Sequence, residues 1–277
     1  MRERVTEIAR KTYPCGRCNA RVHNDRSQCR SCGFWNVKDA LPNGNDGTVL
    51  LSELGDAQEL KRIVSGPWDP CFGGGIEVTS VTLIGGEPGA GKSTIATQIL
   101  DAVCGVTERT GLYVAAEENI KQINHRTSRL RVANRALMRM LPMNHIDRNI
   151  GQIILARKPC LVVIDSLSKL VKNDPANAVE ICARFKDYAT ELECPFLIID
   201  HVTKDGDFAG FEDLQHEVDC TMMYTVYDDG VRQLQTIKNR AGQGMVKRFF
   251  DMTENGLVPL NDCKICGNVK CDHIPEE

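Results

Sequence analysis

The sequence predicts an α/β protein whose core is a mostly parallel sheet, with a small metal-binding segment before the core and a short polar tail after it. Two observations predict the sheet. Short apolar runs alternate with segments of helical spacing, and a glycine-rich phosphate-binding motif joins the first run to the first such segment. A third observation, two Cys-x2-Cys pairs near the start of the chain, predicts the metal-binding segment.

Four apolar runs have the composition of strands buried on both faces, as in a parallel sheet. They are VTLIGG at 81–86, GLYVAA at 111–116, LVVIDS at 161–166 and PFLIID at 195–200. Helical spacing lies between them at 93–103 and 176–193. After residue 219 the pattern favours an antiparallel meander, with strands at 221–226, 231–237 and 247–251 and a hairpin turn at 228–230.

Composition limits the class of protein. The 277 residues, 42% of them hydrophobic, suffice for one domain with small appendages. No run approaches the ~18 apolar residues of a membrane span, and the charged start lacks the apolar centre of a secretory signal. We therefore expect a soluble, cytoplasmic protein without membrane contact. Its predicted parts are a zinc finger at 1–38, a linker at 39–56, the core domain at 57–260 and a Cys/His tail at 261–277.

The formal net charge of −3 conceals two basic segments. Residues 1–38 contain nine Lys or Arg against three acidic residues, and the run 121–139 contains six Lys or Arg and no acid. Either segment could contact nucleic-acid phosphates, and for the second a solvated protein surface is an equally good interpretation.

The glycine-rich motif is GGEPGAGKST at 85–94, which matches GxxxxGK[S/T] and lies between a predicted strand and a predicted helix. Its glycines allow backbone amides to turn toward phosphate oxygens, and the helix directs the positive end of its dipole at them. Lys92 is expected at the β- and γ-phosphates and Ser93 on Mg²⁺. The sequence thus predicts a site that binds and hydrolyses ATP, formed by Gly86, Glu87, Pro88, Gly89, Ala90, Gly91, Lys92, Ser93 and Thr94.

Acidic residues follow two of the other apolar runs. Asp165 comes after LVVI, where a carboxylate can hold Mg²⁺ together with Ser93. Glu117 and Glu118 follow GLYVAA, at what should be the same edge of the sheet. We favour Glu117 as the base that orients and deprotonates the attacking water, and Glu118 as a charge that stabilises the N-terminus of the next helix.

The thirteen cysteines fall into three groups. Two Cys-x2-Cys pairs supply four thiolates for a closed, structural Zn²⁺ site, and the predicted ligands are Cys15, Cys18, Cys29 and Cys32. A set of compressed spacing in the tail is either a second zinc site or a segment without metal; its members are Cys263, Cys266, Cys271 and His273. The remaining six are expected to be small buried hydrophobes: Cys71, Cys104, Cys160, Cys182, Cys194 and Cys220.

Together these motifs resemble, over nearly the whole chain, the RadA/Sms family of bacterial DnaB-like ATPases of recombination and branch migration. The similar segments are the cysteine-rich head with Trp35 and Asn36 after its last cysteine, the glycines at 73–75, YVAAEEN at 113–119 and HVTKDGDFAG at 201–210. The most specific match is Lys238-Asn239-Arg240-Ala241-Gly242, which is similar to the family's KNRFG signature with Ala241 in place of its Phe.

The resemblance implies a RecA-like fold and a homo-oligomeric ring, expected to be hexameric, with ATP between subunits. It implies that Lys238 and Arg240 reach the γ-phosphate from the neighbouring subunit and that His201 senses it. The loops 169–177 and 204–214 would face a channel that holds single-stranded DNA. Without the resemblance, the two cations would be interpreted as a solvated basic hairpin. The family's Lon-protease-like domain has no counterpart in this sequence, so a short form is expected.

The expected function is an ATP-driven motor on single-stranded or branched DNA in recombination or repair, either a branch-migration factor or a DnaB-like helicase, which uses ATP, Mg²⁺ and Zn²⁺. One alternative is a recombination mediator whose ATP state switches binding to DNA or to a partner, such as a recombinase or another replication or repair protein. Another is a KaiC-like regulatory ATPase with protein partners only. Strand displacement separates motor from mediator, and stimulation of hydrolysis by single-stranded DNA separates both from the third.

Overall fold

The computed structural model describes residues 12–15, 18–23, 31–32, 59–143, 149–201 and 212–260. Two compact units divide the chain, one ending at Glu59 and the other beginning at Leu60. The predicted linker, the tail and most of the loop 204–214 lie outside the described residues.

In the first unit, a short antiparallel pair surrounds the first predicted zinc-binding turn. Strand β1 (Thr12–Pro14) pairs with β2 (Arg21–His23). The chain turns back between them through Cys15 and Cys18, and Asn19 adopts a φ of 60°, a left-handed conformation that asparagine tolerates. The turn therefore places two predicted ligands close together.

The second unit contains a two-stranded sheet and a nine-stranded sheet. The small sheet pairs β3 (Arg62–Ile63) with β4 (Ile76–Glu77). The strands of the large sheet are β5 (Val81–Gly86), β6 (Gly111–Ala115), β7 (Met138–Pro142), β8 (Val162–Asp165), β9 (Phe196–His201), β10 (Cys220–Val226), β11 (Arg232–Asn239), β12 (Lys247–Thr253) and β13 (Gly256–Pro259). The helices are α1 (Asp69–Phe72), α2 (Lys92–Thr107), α3 (Ile120–Arg129), α4 (Asn149–Arg157), α5 (Leu167–Leu170), α6 (Pro175–Leu192) and α7 (Glu212–Glu217), with a 3-10 turn at Arg135–Leu137.

The large sheet has the strand order β13-β12-β11-β10-β5-β9-β8-β6-β7. Neighbouring strands are parallel from β10 to β7 and antiparallel from β10 to β13. The predicted α/β fold with a parallel core is therefore confirmed, and the meander extends one side of the sheet. Strand β10 belongs to both parts, because it pairs with β5 in parallel and with β11 in antiparallel orientation.

Apolar side chains cover both faces of the parallel strands, which explains why these strands appear in the sequence as uninterrupted apolar runs. Along β6, Leu112 packs into one core and Tyr113 into the other. Helix α2 covers the face that contains Tyr113. Helix α6 covers the opposite face, where Phe185 stacks on Phe196 with ring centroids 4.7 Å apart.

Two helices begin at residues that suit their first turns. Helix α6 follows Asp174, whose side chain accepts two amide hydrogen bonds, and Pro175 occupies its first position. Helix α3 begins with a reciprocal capping box between Asn119 and Gln122. Within the described ranges, no helix combines the length and the apolar composition needed to cross a bilayer.

Some elements exceed what the sequence patterns predict. The basic run 121–139 forms most of α3, the 3-10 turn and the start of β7, which is a strand at the edge of the sheet. Strand β13 extends the meander by one strand. The six single cysteines are all buried, which confirms their expected place in the core.

We expect Gly86→Ala to destabilise the fold. A Cβ at this position would lie 2.4 Å from the carbonyl oxygen of Tyr224 in β10, so the two strands would have to separate. By comparison with overpacked cores, the free energy of unfolding should fall by about 1–3 kcal/mol in chemical denaturation. Gly244→Ala is the matched control, because its nearest atom is 3.9 Å away, and it should change that free energy by less than ~0.5 kcal/mol. Equal midpoints for the two variants would contradict this close approach.

Candidate functional site

Four strands that are neighbours in the sheet end at one edge, and the predicted nucleotide-site residues lie at their ends. Strand β5 leads into the P-loop after Gly86, β9 ends at His201, β8 ends at Asp165, and β6 leads to Glu117. The register places Gly86 directly opposite His201. Because open α/β sheets bind ligands outside the carboxyl ends of their strands, this edge is the candidate site.

The P-loop has the geometry of an anion-binding turn. Gly89 and Gly91 have φ values of 76° and 106°, which glycine adopts without strain. Helix α2 begins directly afterwards, and no side chain caps its first amides. These N–H groups and the helix dipole therefore remain available to a ligand. The residues present fit a triphosphate, which supplies the negative charge that such a helix start attracts.

Lys92 is a buried cation at the base of the P-loop, with 5% of its surface exposed. Its Nζ donates to the carbonyl oxygens of Gly86 (2.7 Å) and Glu87 (2.8 Å), and it lies 3.2 Å from Nδ1 of His201. Burial lowers the pKa of Lys92, whereas nearby carboxylates, Asp165 foremost, raise it. The ammonium group is thus held beside the turn that would receive phosphates.

His201 links Lys92 to Glu117. Because an ammonium group only donates, Nδ1 of His201 accepts from Lys92, and Nε2 therefore carries the hydrogen donated to Oε1 of Glu117 at 2.9 Å. The same oxygen accepts a 2.6 Å hydrogen bond from the Ser166 hydroxyl. The bond from His201, and after it the bond from Ser166, lower the pKa of Glu117 to about 2 against an opposing effect of burial. Glu117 is therefore ionised near neutral pH.

Asp165 is held by a chain of contacts that ends on α3. Its carboxylate accepts a hydrogen bond from the Tyr113 hydroxyl, whose pKa is raised by burial and by the charge of Asp165, so that the hydroxyl stays protonated. Arg126 donates to the same hydroxyl at 3.0 Å and forms an ion pair with Glu118. Glu118 directly precedes Asn119, the N-cap of α3, and pairs with Arg126 of the same helix; its expected role as a charge that stabilises the helix start stays a prediction.

A cavity of about 280 Å³ lies between the P-loop and the strand ends. Lys92, Ser93, Glu117, Asp165 and His201 are among the residues that line it. Ser93 and Asp165 offer it a hydroxyl and a carboxylate oxygen, which are the kinds of ligand that Mg²⁺ prefers. This set of donors fits a magnesium ion bound together with a triphosphate.

Lys238 and Arg240 lie where the parallel strands β5 and β10 begin, at the end of these strands opposite to the P-loop. Nζ of Lys238 donates to three carbonyl oxygens at the C-terminal end of α7, at 2.7, 2.9 and 3.3 Å. Arg240 donates to the carbonyl of His216 at 2.8 Å and pairs with Asp219 at 3.3 Å. The structure does not bring either cation to Lys92, and their action on a neighbouring subunit's nucleotide stays a prediction.

In the first unit, the thiol sulfurs of Cys15, Cys18 and Cys32 all lie within 4.8 Å of one another. The Sγ atoms of Cys15 and Cys32 are 3.7 Å apart, close to the ~3.8 Å edge of a tetrahedron with Zn–S bonds of about 2.3 Å. These donors fit a structural zinc ion. The other predicted metal ligands lie outside the described residues, namely Cys29, Cys263, Cys266, Cys271 and His273.

The sequence patterns did not identify the residues that hold the predicted ones in place. Tyr113 leaves a weak signal, a hydroxyl inside an apolar run, and Ser166 directly follows Asp165. Arg126 is 8% exposed, although it belongs to a run of basic residues that suggests a solvated or phosphate-binding surface. No local pattern distinguishes it from the exposed cations beside it.

Comparison with known proteins shows similarity in both sequence and fold. The family model of the AAA domain matches residues 67–207, about half of the chain. The DNA repair protein RadA of Haemophilus influenzae is 33% identical over 91% of this chain and 60% of that protein. RadA of Pseudomonas aeruginosa is 31% identical over 92% and 60%, and RadA of Escherichia coli 31% over 91% and 60%. The chain thus spans about 60% of the length of these relatives.

Among solved structures, a KaiC-like protein of the hyperthermophilic archaeon Pyrococcus horikoshii aligns with a TM-score of 0.61. The alignment covers 72% of this chain and 99% of that one at 18% sequence identity. At this level of identity the similarity concerns the fold alone.

Glu117 should make stability depend on pH on the acidic side. Because its folded pKa lies below the ordinary glutamate value, its contribution is present above that value and is lost as the pH falls toward about 2. In Glu117→Gln, the free energy of unfolding should therefore fall less steeply between about pH 4.5 and 3. Urea denaturation at a series of pH values measures this, with Glu191→Gln on the exposed side of α6 as control. If the free energy of unfolding of Glu117→Gln falls with pH as steeply as that of the parent, this would contradict a stabilising effect of the hydrogen bonds from His201 and Ser166.

Proposed function

Because this chain belongs to the AAA-domain family and resembles RadA proteins over most of its length, we propose that it is a DNA-repair ATPase that works as a ring. The protein forms a homo-oligomer, expected to be a hexamer, and hydrolyses ATP at the interfaces between subunits. Its expected location is the cytoplasm. The cycle drives branch migration or DnaB-like strand separation on single-stranded or branched DNA. A recombinase or another replication or repair protein is the expected partner.

The observation that carries this proposal is that Arg240 and the P-loop lie at opposite ends of the parallel strands. Arg240 lies beside Asp219, whose backbone amide bonds to Val81 at the start of β5, whereas the P-loop follows Gly86 at its end. At about 3.3 Å per residue along β5, Val81 and Gly86 are about 16 Å apart. The sideways distance from β5 to β11, two strands away, adds to this separation. Arg240 therefore cannot reach a phosphate on its own P-loop, which supports a contribution to the neighbouring subunit.

The bound triphosphate is held by groups of the P-loop and of β8. The first-turn amides of α2 and the ammonium group of Lys92 bind the β- and γ-phosphates. Ser93 and Asp165 hold the magnesium ion, which neutralises negative charge on the phosphate oxygens when it is bound. The hydrogen bond from Tyr113 fixes the orientation of the Asp165 carboxylate.

Hydrolysis uses groups from both subunits. The ionised Glu117 orients the attacking water and receives its proton, while the hydrogen bond from His201 fixes the carboxylate. Lys238 and Arg240 of the adjacent subunit add positive charge where the γ-phosphoryl group becomes more negative in the transition state. The reaction then depends on how two subunits meet.

The segment after β8 supports a contact with DNA. Ser166, which donates to Glu117, is followed directly by α5, and Lys169 and Lys172 on this segment are exposed. Positive side chains attract the DNA backbone regardless of base sequence. A contact made at the loop 169–177 would thus act on a segment that is hydrogen-bonded to the residue that orients the water.

The central test compares ATP hydrolysis by the parent protein, Lys92→Ala and Arg240→Ala, with and without single-stranded DNA. We expect DNA to stimulate the parent. Each variant alone should lose about 10³-fold or more, because one lacks the phosphate-binding lysine and the other the cation supplied in trans. Arg157→Ala, an exposed arginine at the end of α4, is the matched control and should keep parental activity.

Mixing the two inactive variants separates action in trans from action within one subunit. In a mixed ring, about a quarter of the interfaces combine an intact Lys92 with an intact Arg240, so up to about a quarter of parental activity should return. Full activity of oligomeric Arg240→Ala would reject the trans assignment. A parent that hydrolyses ATP without any response to DNA would instead favour a KaiC-like regulator, and binding to forked DNA without strand displacement would favour a mediator.

Removal of zinc should separate DNA engagement from nucleotide chemistry. The thiols of Cys15, Cys18 and Cys32 belong to a different compact unit from the P-loop, so hydrolysis measured without DNA should persist in Cys15→Ser or after chelation. Binding of labelled single-stranded DNA or of a partner should weaken, as followed by fluorescence anisotropy, and the metal content should fall in atomic emission. Added Zn²⁺ should restore the chelated parent but not Cys15→Ser. Loss of DNA-independent hydrolysis would contradict this separation.

A further inference from the structure

Arg240, the cation assigned to a neighbouring nucleotide, lies on the finger turn (residues 239–242) at the end of β11. The amide of Arg240 donates to the carbonyl of Asp219 at 2.9 Å. From β3, Nη2 of Arg62 donates to the carbonyl of Ala241, although 179 positions separate the two residues in the chain. The backbone of the finger turn is therefore held from two sides, and on one of them by a side chain that belongs to the small sheet.

The guanidinium group of Arg62 also bonds to the segment that follows α1. Its Nη1 donates to the carbonyl oxygens of Phe72 at 3.0 Å and of Gly75 at 3.4 Å. One half-buried side chain thus joins this segment to the finger turn. The planar fork of an arginine can donate in both directions at once, which the single ammonium group of a lysine does not reproduce.

The same two segments approach each other closely at a pair of glycines. A Cβ on Gly73 would lie 3.1 Å from Cα of Gly242 and 3.3 Å from Nδ2 of Asn239, so a methyl group there would displace the finger turn. Gly73 also has a φ of 77°, which glycine adopts without strain. The bonds of Arg62 and the glycine contact therefore act on the same pair of segments.

The support to which Arg62 connects the finger turn is itself fixed to the meander. The hydroxyl of Thr236 on β11 donates to the carbonyl of Cys71 at 2.7 Å, and the thiol of Cys71 donates to the carbonyl of Leu234 at 3.6 Å. Trp68 stacks on Phe250 of β12 with ring centroids 6.1 Å apart. Helix α1 and the segment after it thus form a base that moves with β11.

We propose that Arg62 is a positioning residue for hydrolysis in trans, because it sets where the finger turn presents Arg240 to the neighbouring subunit's nucleotide. This inference rests on the proposed action of Arg240 and adds a residue to it. Arg62 acts through Arg240, since its own guanidinium is occupied by three backbone carbonyl oxygens. The Arg240 side chain is half exposed, so it can turn toward a phosphate while the backbone beneath it stays in place.

The test measures kcat and KM for ATP in the full chain with single-stranded DNA, for the parent, Arg62→Ala and Gly73→Ala. Arg62→Ala removes the bonds to the finger turn, whereas Gly73→Ala keeps the arginine and displaces the turn by steric contact. Both should lower kcat by about tenfold to a hundredfold, because a displacement of about 1 Å suffices for such a loss. KM should stay within about twofold, because the P-loop is untouched.

Each variant has a matched control. Lys61→Ala removes the same charge from the adjacent residue, whose exposed side chain pairs with Glu193. Gly74→Ala adds a methyl group at a similarly left-handed φ of 101°, but nothing lies within 4 Å of that Cβ. The two glycine variants therefore share backbone strain and differ in contact with the finger turn. Both controls should keep parental kcat.

Mixed rings supply a measurement that a merely structural role would not produce. An Arg62→Ala subunit retains an intact P-loop and lacks only a well-placed Arg240, so mixing it with Lys92→Ala should restore up to about a quarter of parental activity. Mixing it with Arg240→Ala should restore none, because neither subunit supplies the cation. Gly73→Ala, which retains Arg62, should give the same two results.

Parental kcat in Arg62→Ala would overturn the inference. Recovery on mixing Arg62→Ala with Arg240→Ala, or no recovery with Lys92→Ala for both Arg62→Ala and Gly73→Ala, would also overturn it, because the defect would then lie outside the finger turn. Failure of Lys92→Ala and Arg240→Ala to restore one another would contradict the proposed action in trans itself. Recovery by that pair beside parental kcat in Arg62→Ala would reject the role of Arg62 alone, which keeps the two failures distinct.

Discussion

The register of four parallel strands determines where every group of the candidate site lies. Gly86 pairs with His201, Asp165 with Ile199 and Ala115 with Asp165, so β5, β9, β8 and β6 present their ends at one edge. A slip of one residue would turn each side chain to the other face of the sheet. Because both faces carry apolar cores, such a slip is strongly unfavourable. The hydrophobic cores thus fix the relative positions of the lysine, the histidine and the two carboxylates.

Among the described residues that line the cavity, the acidic and basic side chains already neutralise most of one another's charge. Arg126 is committed to Glu118 and Tyr113, which leaves Lys92 as the P-loop cation that can turn toward a phosphate. A triphosphate brings several negative charges, and Glu117 and Asp165 add two more. Additional positive charge must therefore accompany a bound nucleotide, and a magnesium ion held by Ser93 and Asp165 would be one source. In the proposed ring, a cation from the adjacent subunit would be the second source, and it would couple hydrolysis to the way subunits meet.

Sequence patterns predicted the parallel core and the P-loop because both depend on local features, namely apolar runs and a glycine spacing followed by a helix. They could not predict that β9 and β8 lie between β5 and β6, since strand order is not chain order. The contacts of His201 with Lys92 and Glu117 follow from that order. The division of the basic run into the buried Arg126 and exposed neighbours likewise depends on tertiary packing.

The bonds of Lys238 give the proposed contact between subunits an energetic consequence. Carbonyl groups at the end of a helix carry partial negative charge, and Lys238 satisfies three of them at the end of α7. Arg240 binds the carbonyl of His216 in the same region and Asp219 beside it. For either cation to reach a neighbouring nucleotide, it must exchange these partners for phosphate oxygens. Because phosphate carries more negative charge than a carbonyl, arrival of ATP would favour the exchange, and loss of the γ-phosphate would return the cations to α7.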